Sequence, residues 1–189
     1  MSLKRCKVCK QQFRPTRPMQ PTCHKYECQV SYAQQVADKA RKKREKVERA
    51  ADRQKREKLK TVTDHANDTQ RIVNKYIRLR DLKEGRGCIS CGTKTAMQWH
   101  AGHYRNVKTH KSIRFDHRNI HLQCSQCNDW EGGNKIEYRK GLLERVGVDV
   151  VEWLEAQHDT KRWSVEELKQ IQDLHKKLIK DLDENQKQS

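Results

Sequence analysis

The stretch CISCGTKTAMQWHAGHYRNVKTHKSIRFDHRNIHLQCSQCNDWEGGN, residues 88–134, decides how this chain folds, because it holds two Cys-x2-Cys knuckles with 32 residues between them. Paired-thiol knuckles at this distance are typical of one structural zinc site with four thiolate ligands. The predicted ligands are Cys88, Cys91, Cys124 and Cys127. The knuckles therefore predict a folded centre in which zinc joins the two ends of the stretch.

Histidine and asparagine side chains are concentrated between and just after the knuckles. Metal-assisted hydrolysis needs a base that activates water and a cation that stabilises the developing charge. We predict His103 as the general base, and His100 and Asn128 as ligands of a second, catalytic cation. Asn119 is predicted as a further active-site residue, which orients the intervening loop through backbone hydrogen bonds.

Each of these residues also has a structural interpretation. His100 and His103 could be structural histidines beside the zinc, and Asn128 could cap the following helix. A chain in which they have only these roles would be a non-catalytic, zinc-dependent nucleic-acid-binding protein. A further alternative is a sequence-specific nuclease, in which these residues have the same catalytic roles but the substrate is one DNA sequence.

A second set of cysteines lies near the start of the chain, in KRCKVCKQQFRPTRPMQPTCHKYEC at residues 4–28. All three prolines, at positions 15, 18 and 21, lie between the two pairs, so this linker is predicted to be a loop. We expect a small zinc finger, either structural or in contact with DNA or a partner protein. His24 is an alternative ligand. The predicted ligands are Cys6, Cys9, Cys23 and Cys28.

The charge of the chain is high and uneven. The formal net charge is +17, and residues 1–63 carry 19 Lys and Arg against 6 Asp and Glu, whereas residues 148–189 carry 7 against 10. A basic first half is typical of a protein that binds a polyanion, most often nucleic acid. No apolar run is long enough for a signal peptide or a membrane span. We therefore expect no membrane partner and a cytoplasmic location with DNA, where paired cysteines usually bind metal.

Four segments are predicted along the chain. They are an N-terminal zinc finger (1–30), a basic helical arm (31–63), a nuclease core (64–147) and a C-terminal helical region (148–189). Residues 29–62 contain no Gly or Pro and favour one long helix, in which 12 of the 22 residues from 39 to 60 are basic. A second helix, capped by Thr63 or Asp64, is predicted to run to about Leu82.

Basic residues of the arm and of the central stretch are predicted to contact DNA phosphates. Such contacts give an affinity that depends on salt and little on sequence. The residues are Arg41, Lys42, Lys43, Arg44, Arg105, Lys108, Lys111, Arg114 and Arg118.

The predicted fold class is α+β and mainly helical. Short strands are expected at Met97–His103 and Asn119–Gln123, an amphipathic helix after the second knuckle, and C-terminal helices of which the last is capped by Ser164 with Glu167. The order knuckle, strand, loop, strand, knuckle, helix resembles the zinc-stapled ββα-metal core of HNH nucleases.

The motifs WHAGHY (99–104), RFDHRNIHLQCSQCN (114–128) and RWSVEE (162–167) resemble the NinG/Rap family of lambdoid phages, recombination endonucleases that cut branched DNA. The resemblance covers most of the chain. It implies structure-selective cutting of Holliday junctions and D-loops with Mg or Mn, besides two structural zincs. Because two cuts on a four-way junction suit a two-fold assembly, a homodimer is also expected.

The centre is similar to the phage endonuclease VII resolvases as well, and this similarity implies the same roles for His100, His103 and Asn128. The position of His100 is commonly Asp in relatives. A neutral imidazole is a softer ligand than a carboxylate, so the exchange favours Mn, Co or Ni over Mg. A second difference is the acidic Asp129–Glu131 segment, in which Glu131 is an additional candidate ligand.

Overall fold

The computed structural model describes residues 2–184. Over this range the chain is an α+β protein dominated by helices, as predicted, with two small antiparallel sheets. It divides into two compact units between Leu59 and Lys60. None of the helices in the described range has the length and apolar character that a membrane span requires.

The first unit begins with a hairpin of strands β1 (Lys4–Arg5) and β2 (Gln12–Phe13), in which Lys4 pairs with Phe13. Phe13 is buried among the cysteines of this unit. The linker between the two cysteine pairs, predicted to be a loop, contains strand β2, and only its proline-bearing part, residues 14–22, has no helix or strand. Because so few apolar side chains are available here, the cysteine cluster itself forms the core of the unit.

Helix α1 (Tyr26–Lys58) fills the rest of the first unit, and Cys28 is its one buried residue. A helix with almost no buried face takes its stability from helix-forming residues and local ion pairs, such as the one between Asp38 and Arg41. The long helix was predicted over residues 29–62. The observed helix starts three residues earlier and ends four residues earlier.

The early end of α1 follows from the start of α2 (Val62–Lys83). Thr61 is the N-cap: its side-chain oxygen accepts a hydrogen bond from the Asp64 backbone N–H, and the Asp64 carboxylate accepts one from the Thr61 N–H. An N-cap residue has an extended backbone, so α1 cannot continue through Thr61. The cap predicted at Thr63 or Asp64 therefore lies two or three residues too late.

The second unit is built on strands β3 (Trp99–His103) and β4 (Ile120–Cys124). They are antiparallel, with Trp99 opposite Cys124 and His103 opposite Ile120. The strands predicted here are confirmed to within two residues at each end. The intervening segment is an irregular loop that ends in one 3-10 turn, His117–Asn119.

Helices cover both faces of this two-stranded sheet. On one face lie α2 and α5 (Val165–Glu184), and on the other lie α3 (Lys135–Val146) and α4 (Val148–Ala156). The first core contains Ala66, Val73, Ile77, Ala101, Phe115, Ile120 and Leu168. The second contains Ile89, Tyr104, Ile113, Tyr138, Leu142, Val151 and Leu154.

Helix α5 begins with the predicted cap, since Ser164 Oγ accepts a hydrogen bond from the Glu167 N–H at 3.1 Å. Its apolar stripe packs on α2 of the same chain: Leu168, His175 and Ile179 are buried there. The stripe is thus used within the chain. The expected homodimer is left as a prediction without an assigned interface.

Candidate functional site

Four cysteine thiols meet where the end of β4 approaches the knuckle that precedes β3. All four are free of disulfides, and their Sγ atoms lie within 4.8 Å of one another. The Sγ atoms of Cys91 and Cys124 are 3.8 Å apart, which is the edge length, about 3.8 Å, of a tetrahedron with Zn–S bonds of about 2.3 Å. The thiols predicted as ligands, Cys88, Cys91, Cys124 and Cys127, therefore could hold a zinc ion.

The protonation of Cys88 also suits a metal ligand. Burial raises the pKa of its thiol, but hydrogen bonds from the backbone N–H groups of Cys91 and Cys124 outweigh burial, so the pKa lies below its usual value. The Cys124 N–H points at Cys88 Sγ from 3.4 Å. The fold therefore favours a thiolate, the form that binds zinc.

The first unit contains a second group of four thiols, whose sulfur atoms are as close together as those of the first group. The Sγ atoms of Cys6, Cys9, Cys23 and Cys28 lie within 4.8 Å of one another, and those of Cys9 and Cys23 are 3.8 Å apart. The alternative ligand His24 is not part of this group, because its Nε2 bonds to the backbone carbonyl of Arg14. This cluster, too, could hold zinc.

His100 lies on β3 beside a turn, Gln126–Trp130, that follows the second knuckle. Its Nε2 atom is 3.2 Å from Asp129 Oδ2, although without the geometry of a hydrogen bond, and this buried nitrogen finds no partner among residues 2–184. Asn128 donates its amide N–H to the other Asp129 oxygen, which leaves the Asn128 carbonyl for a cation. Imidazole, carboxylate and amide oxygen together are a ligand set that suits Mn²⁺.

Glu131, the additional candidate ligand, lies elsewhere on this turn. Its carboxylate accepts hydrogen bonds from Asn134 Nδ2 and from Gln126 Nε2. The carboxylate that reaches His100 is thus Asp129, which the sequence pattern placed in the right segment but did not single out.

His103 lies at the end of β3 in a more enclosed environment. Burial lowers the pKa of its imidazole to about 4, and the charges of Lys135 and Arg114 act in the same direction. Its Nε2 is 3.2 Å from the Gln70 amide nitrogen, which can donate to it, and 3.2 Å from the Arg114 carbonyl, which can accept from it. The two contacts favour opposite tautomers, and in either tautomer one ring nitrogen is unprotonated at neutral pH.

The structure does not bring His100 and His103 together. Side chains alternate between the faces of a strand, so residues three apart point to opposite sides. His103 contacts Gln70 on α2, whereas His100 contacts Asp129 on the turn after β4. The predicted constellation is therefore divided between two faces of β3.

Asn119 is fully buried, and its side chain makes hydrogen bonds with backbone groups of the loop between β3 and β4. Its Oδ1 accepts a hydrogen bond from the Arg105 N–H at 2.7 Å, and its Nδ2 donates to the carbonyls of Arg105 and Ile113, both at 3.2 Å. With these three bonds the side chain has no group left for a substrate. Asn119 is a positioning residue that holds the loop against the end of β3.

Two of the residues predicted to bind phosphate make hydrogen bonds or ring contacts with other side chains of the protein. Arg114 donates from Nε to Gln70 Oε1 at 2.9 Å. Arg118 makes two hydrogen bonds with Asp116 and stacks over the Trp153 ring at 3.8 Å. These protein contacts reduce what both guanidinium groups can offer to a phosphate.

The remaining predicted basic residues are more accessible. Lys108 and Lys111 are exposed in the loop, and Arg105 is half-buried, with Nη2 at 2.8 Å from His110 Nε2. On α1 the basic run is exposed along its whole length. It comprises Arg41, Lys42, Lys43 and Arg44. The pairing of Arg41 with Asp38 is solvent-exposed and competes weakly with a phosphate.

Two basic residues of α3 belong to the same region but were not predicted. Lys135 donates from Nζ to the backbone carbonyls of His103 and Tyr104, and Arg139 donates to Glu155. Residues four apart lie on one side of a helix. The spacing of Lys135 and Arg139 on the predicted amphipathic helix could therefore have indicated that they form one basic surface.

Comparisons with known proteins agree with the resemblance in the motifs. Residues 1–185 match the family described as the bacteriophage lambda NinG protein. Protein ninG of Escherichia phage 933W is 37% identical over 193 aligned positions, which cover 95% of this chain and 93% of that protein. The ninG proteins of Salmonella phage P22 and Escherichia phage lambda are 38% and 37% identical over 192 positions, again with 95% and 93% covered. No solved structure matches the chain. The chain therefore belongs to the NinG family of bacteriophage proteins.

Proposed function

We propose that this protein is a metal-dependent, structure-selective DNA endonuclease that hydrolyses phosphodiesters in branched recombination intermediates such as Holliday junctions and D-loops. The observation that carries the proposal is the environment of His103. A neutral, half-buried imidazole lies among cationic side chains, on a strand that a four-thiol centre connects to its neighbour. A base that stays unprotonated beside phosphate-binding cations is what this reaction requires.

The elements around His103 support an HNH-like core. Strands β3 and β4 are followed by helix α3, in the order of a ββα-metal unit, and the cysteine cluster joins the knuckle before β3 to the segment between β4 and α3. In such a core zinc takes no part in the reaction. It holds the segments that carry polar residues in register.

Each residue of the site has a defined role in the proposal. His103 accepts the proton of the attacking water, and Asn119 fixes the loop beside it. His100, Asn128 and Asp129 could hold the divalent cation, Mg²⁺ or Mn²⁺, which when bound stabilises the charge that develops on the phosphate. The nitrogen ligand favours Mn²⁺.

The exposed basic run of α1 supports selection of DNA by shape. Its residues 41–44 offer four exposed cations on consecutive positions of a helix, which can contact phosphates of any sequence. Contacts of this kind add affinity for any DNA backbone, including the crowded backbones of a branch point. Action on recombining DNA implies a location in the cytoplasm of the phage-infected bacterial cell.

A non-catalytic zinc-dependent DNA-binding protein is the second candidate. It is favoured by the separation of His100 and His103 on opposite faces of β3, since one water cannot be held by both in this arrangement. Within residues 2–184, moreover, the groups of three or more acidic, Cys or His ligands are the two thiol clusters. A binding protein needs the zinc centres and the basic arm, but it does not need the neutral His103.

Cutting of defined substrates tests the proposal. Zinc-loaded protein is incubated with end-labelled four-way junction, D-loop and linear duplex DNA, with Mn²⁺, with Mg²⁺ or with no added cation. We expect nicks in the branched substrates only when a cation is present. Tight binding without nicks under every condition would support the second candidate, and equal cutting of linear duplex at one sequence would indicate a sequence-specific nuclease.

The homodimer is tested separately. Light scattering after size-exclusion chromatography, with and without junction DNA, should give twice the chain mass on the junction. A monomer mass under both conditions would contradict a dimer.

A further inference from the structure

A groove of about 440 Å³ lies beside the end of β3, between the loop that follows this strand and helix α3. Arg105, Lys135 and Arg139 contribute cationic groups to its wall, and Tyr104 and Ile136 contribute apolar surface. The groove is next to His103, because Lys135 Nζ donates to the His103 carbonyl. It lies on the α3 side of the strand and adjoins the His103 backbone, whereas Gln70 of α2 contacts the His103 imidazole.

Of the three cationic side chains in the groove wall, one forms an ion pair with a carboxylate. Arg139 is paired with Glu155, which leaves Arg105 and Lys135 without a carboxylate partner among residues 2–184. Arg105 Nε is buried and has no hydrogen-bond partner there. A buried N–H without an acceptor costs free energy that a bound anion would recover.

Lys135 is held in position and still has donor capacity. Its ammonium group has three N–H donors, and the carbonyls of His103 and Tyr104 account for two of them. Burial, followed by the nearby Arg105 charge, lowers the pKa of Lys135, so both cations gain from an anion placed between them.

The apolar wall distinguishes this groove from a simple phosphate site. Ile136 is 74% exposed, and in the groove wall it lies between the cationic residues Lys135 and Arg139 of the same helix and the loop after β3. A phosphate needs no apolar contact, whereas the base of a nucleotide gains from one. Cationic groups that track the backbone, next to apolar surface that packs against a base, are typical of single-strand binding.

We propose that this groove binds one unpaired nucleotide of a DNA strand, with the phosphate on Arg105 and Lys135 and the base against Ile136. The inference rests on the proposed function for its choice of DNA. It deepens that function, since a D-loop contains an unpaired, displaced strand and a linear duplex does not. The groove thus supplies structure selectivity next to the proposed base.

The test uses binding without added divalent cation, so that its result does not depend on cutting. Fluorescence anisotropy measures the affinity of the full zinc-loaded chain for labelled single-stranded oligothymidine and for a blunt duplex of equal length. The variants are Lys135→Ala and Ile136→Ser. Lys140→Ala is the matched control, because it removes one exposed charge from the same helix outside the groove.

We expect Lys135→Ala to weaken single-strand binding about tenfold and to reduce the slope of log K against log salt by about 0.7, the value for one lost phosphate contact. Ile136→Ser should weaken single-strand binding several-fold without a change in slope. Duplex affinity should change as little as in the control. Equal losses on single strand and duplex, or losses no greater than with Lys140→Ala, would overturn the proposal, whether or not the protein cuts DNA.

Discussion

The two faces of β3 carry different chemistry. On one face His100 Nε2 is buried close to the Asp129 carboxylate without a hydrogen-bond partner, an arrangement that suits a metal ligand. On the other face His103 lies among cations, with a pKa lowered to about 4, as expected of a base that stays neutral. Two histidines three residues apart have thus acquired separate environments, and the difference shows that spacing along a strand decides which partners a residue meets.

The central thiol cluster could hold a zinc ion, and loss of one of its ligands should have the largest effect. We expect Cys127→Ser to release one of two zinc ions and to unfold the second unit, because structural zinc contributes about 10–16 kcal/mol to the folding of small zinc domains. Zinc release with a colorimetric chelator and thermal unfolding by circular dichroism measure the two effects.

Cys6→Ser is the matched control for this experiment. It should also release one zinc ion, but the second unit should keep its unfolding transition, since the two clusters lie in separate compact units. If Cys6→Ser removed the same transition as Cys127→Ser, the assignment of one zinc to each unit would be wrong.

The His100 face should respond to loss of its carboxylate. We expect Asp129→Asn to weaken Mn²⁺ binding by at least about 10- to 100-fold, because loss of even an outer partner of a metal ligand has an effect of this size. Isothermal titration calorimetry of the zinc-loaded protein measures this affinity. Glu131→Gln, on the same turn, is the control and should leave the Mn²⁺ affinity within a factor of about two. If Glu131→Gln weakened Mn²⁺ binding more than Asp129→Asn, Glu131 and not Asp129 would be the cation ligand.

The His103 face should respond to loss of the loop anchor. Asn119→Ala removes three hydrogen bonds to buried backbone groups, and we expect a loss of about 2–4 kcal/mol in the free energy of unfolding, since unsatisfied buried groups cost about 1–3 kcal/mol each and part of this is relieved by relaxation. Urea denaturation measures this. Mn²⁺ affinity should stay unchanged, because the His100 face does not use Asn119. Loss of Mn²⁺ binding in this variant would show that the two faces are not independent.

The pH dependence of cutting should show the smallest change. A pKa lowered to about 4 means that His103 loses its base form only as the pH falls through about 4, whereas an ordinary histidine loses it near 6.5. At saturating Mn²⁺ the single-turnover rate should therefore change little between about pH 7.5 and 5.5. Lys135→Ala removes a neighbouring positive charge, so it should raise the pKa and reduce the rate at the lower pH. A wild-type rate that falls tenfold per pH unit below 6.5 would contradict the half-buried, neutral His103.

Several features of the site could be predicted from the sequence because they depend on local patterns. Knuckle spacing located the two thiol clusters, alternating apolar residues located β3 and β4, and the pair Ser164 and Glu167 located the start of α5. The period of two in a strand would also have placed His100 and His103 on opposite faces, had it been applied to their spacing of three.

Other features depend on contacts between distant segments and leave no local pattern. Gln70 reaches His103 from 33 residues away, and nothing in its own surroundings marks it. Arg114 and Arg118 have the composition of phosphate contacts, but tertiary partners occupy them. The end of α1 was misplaced because Thr61 competes with Thr63 and Asp64 as a cap, and the hydrogen bonds that decide between them are visible only in three dimensions.

The most direct test of the central claim is single-turnover nicking of a four-way junction in Mn²⁺ by wild type and by His103→Ala, with junction affinity measured in parallel. Loss of a general base costs about 10²- to 10⁴-fold in rate, so we predict a loss of this size with an affinity within about twofold of wild type. A His103→Ala variant that cuts at the wild-type rate would contradict the role of His103 as the base. A wild-type protein that binds the junction and never cuts it would contradict the nuclease itself.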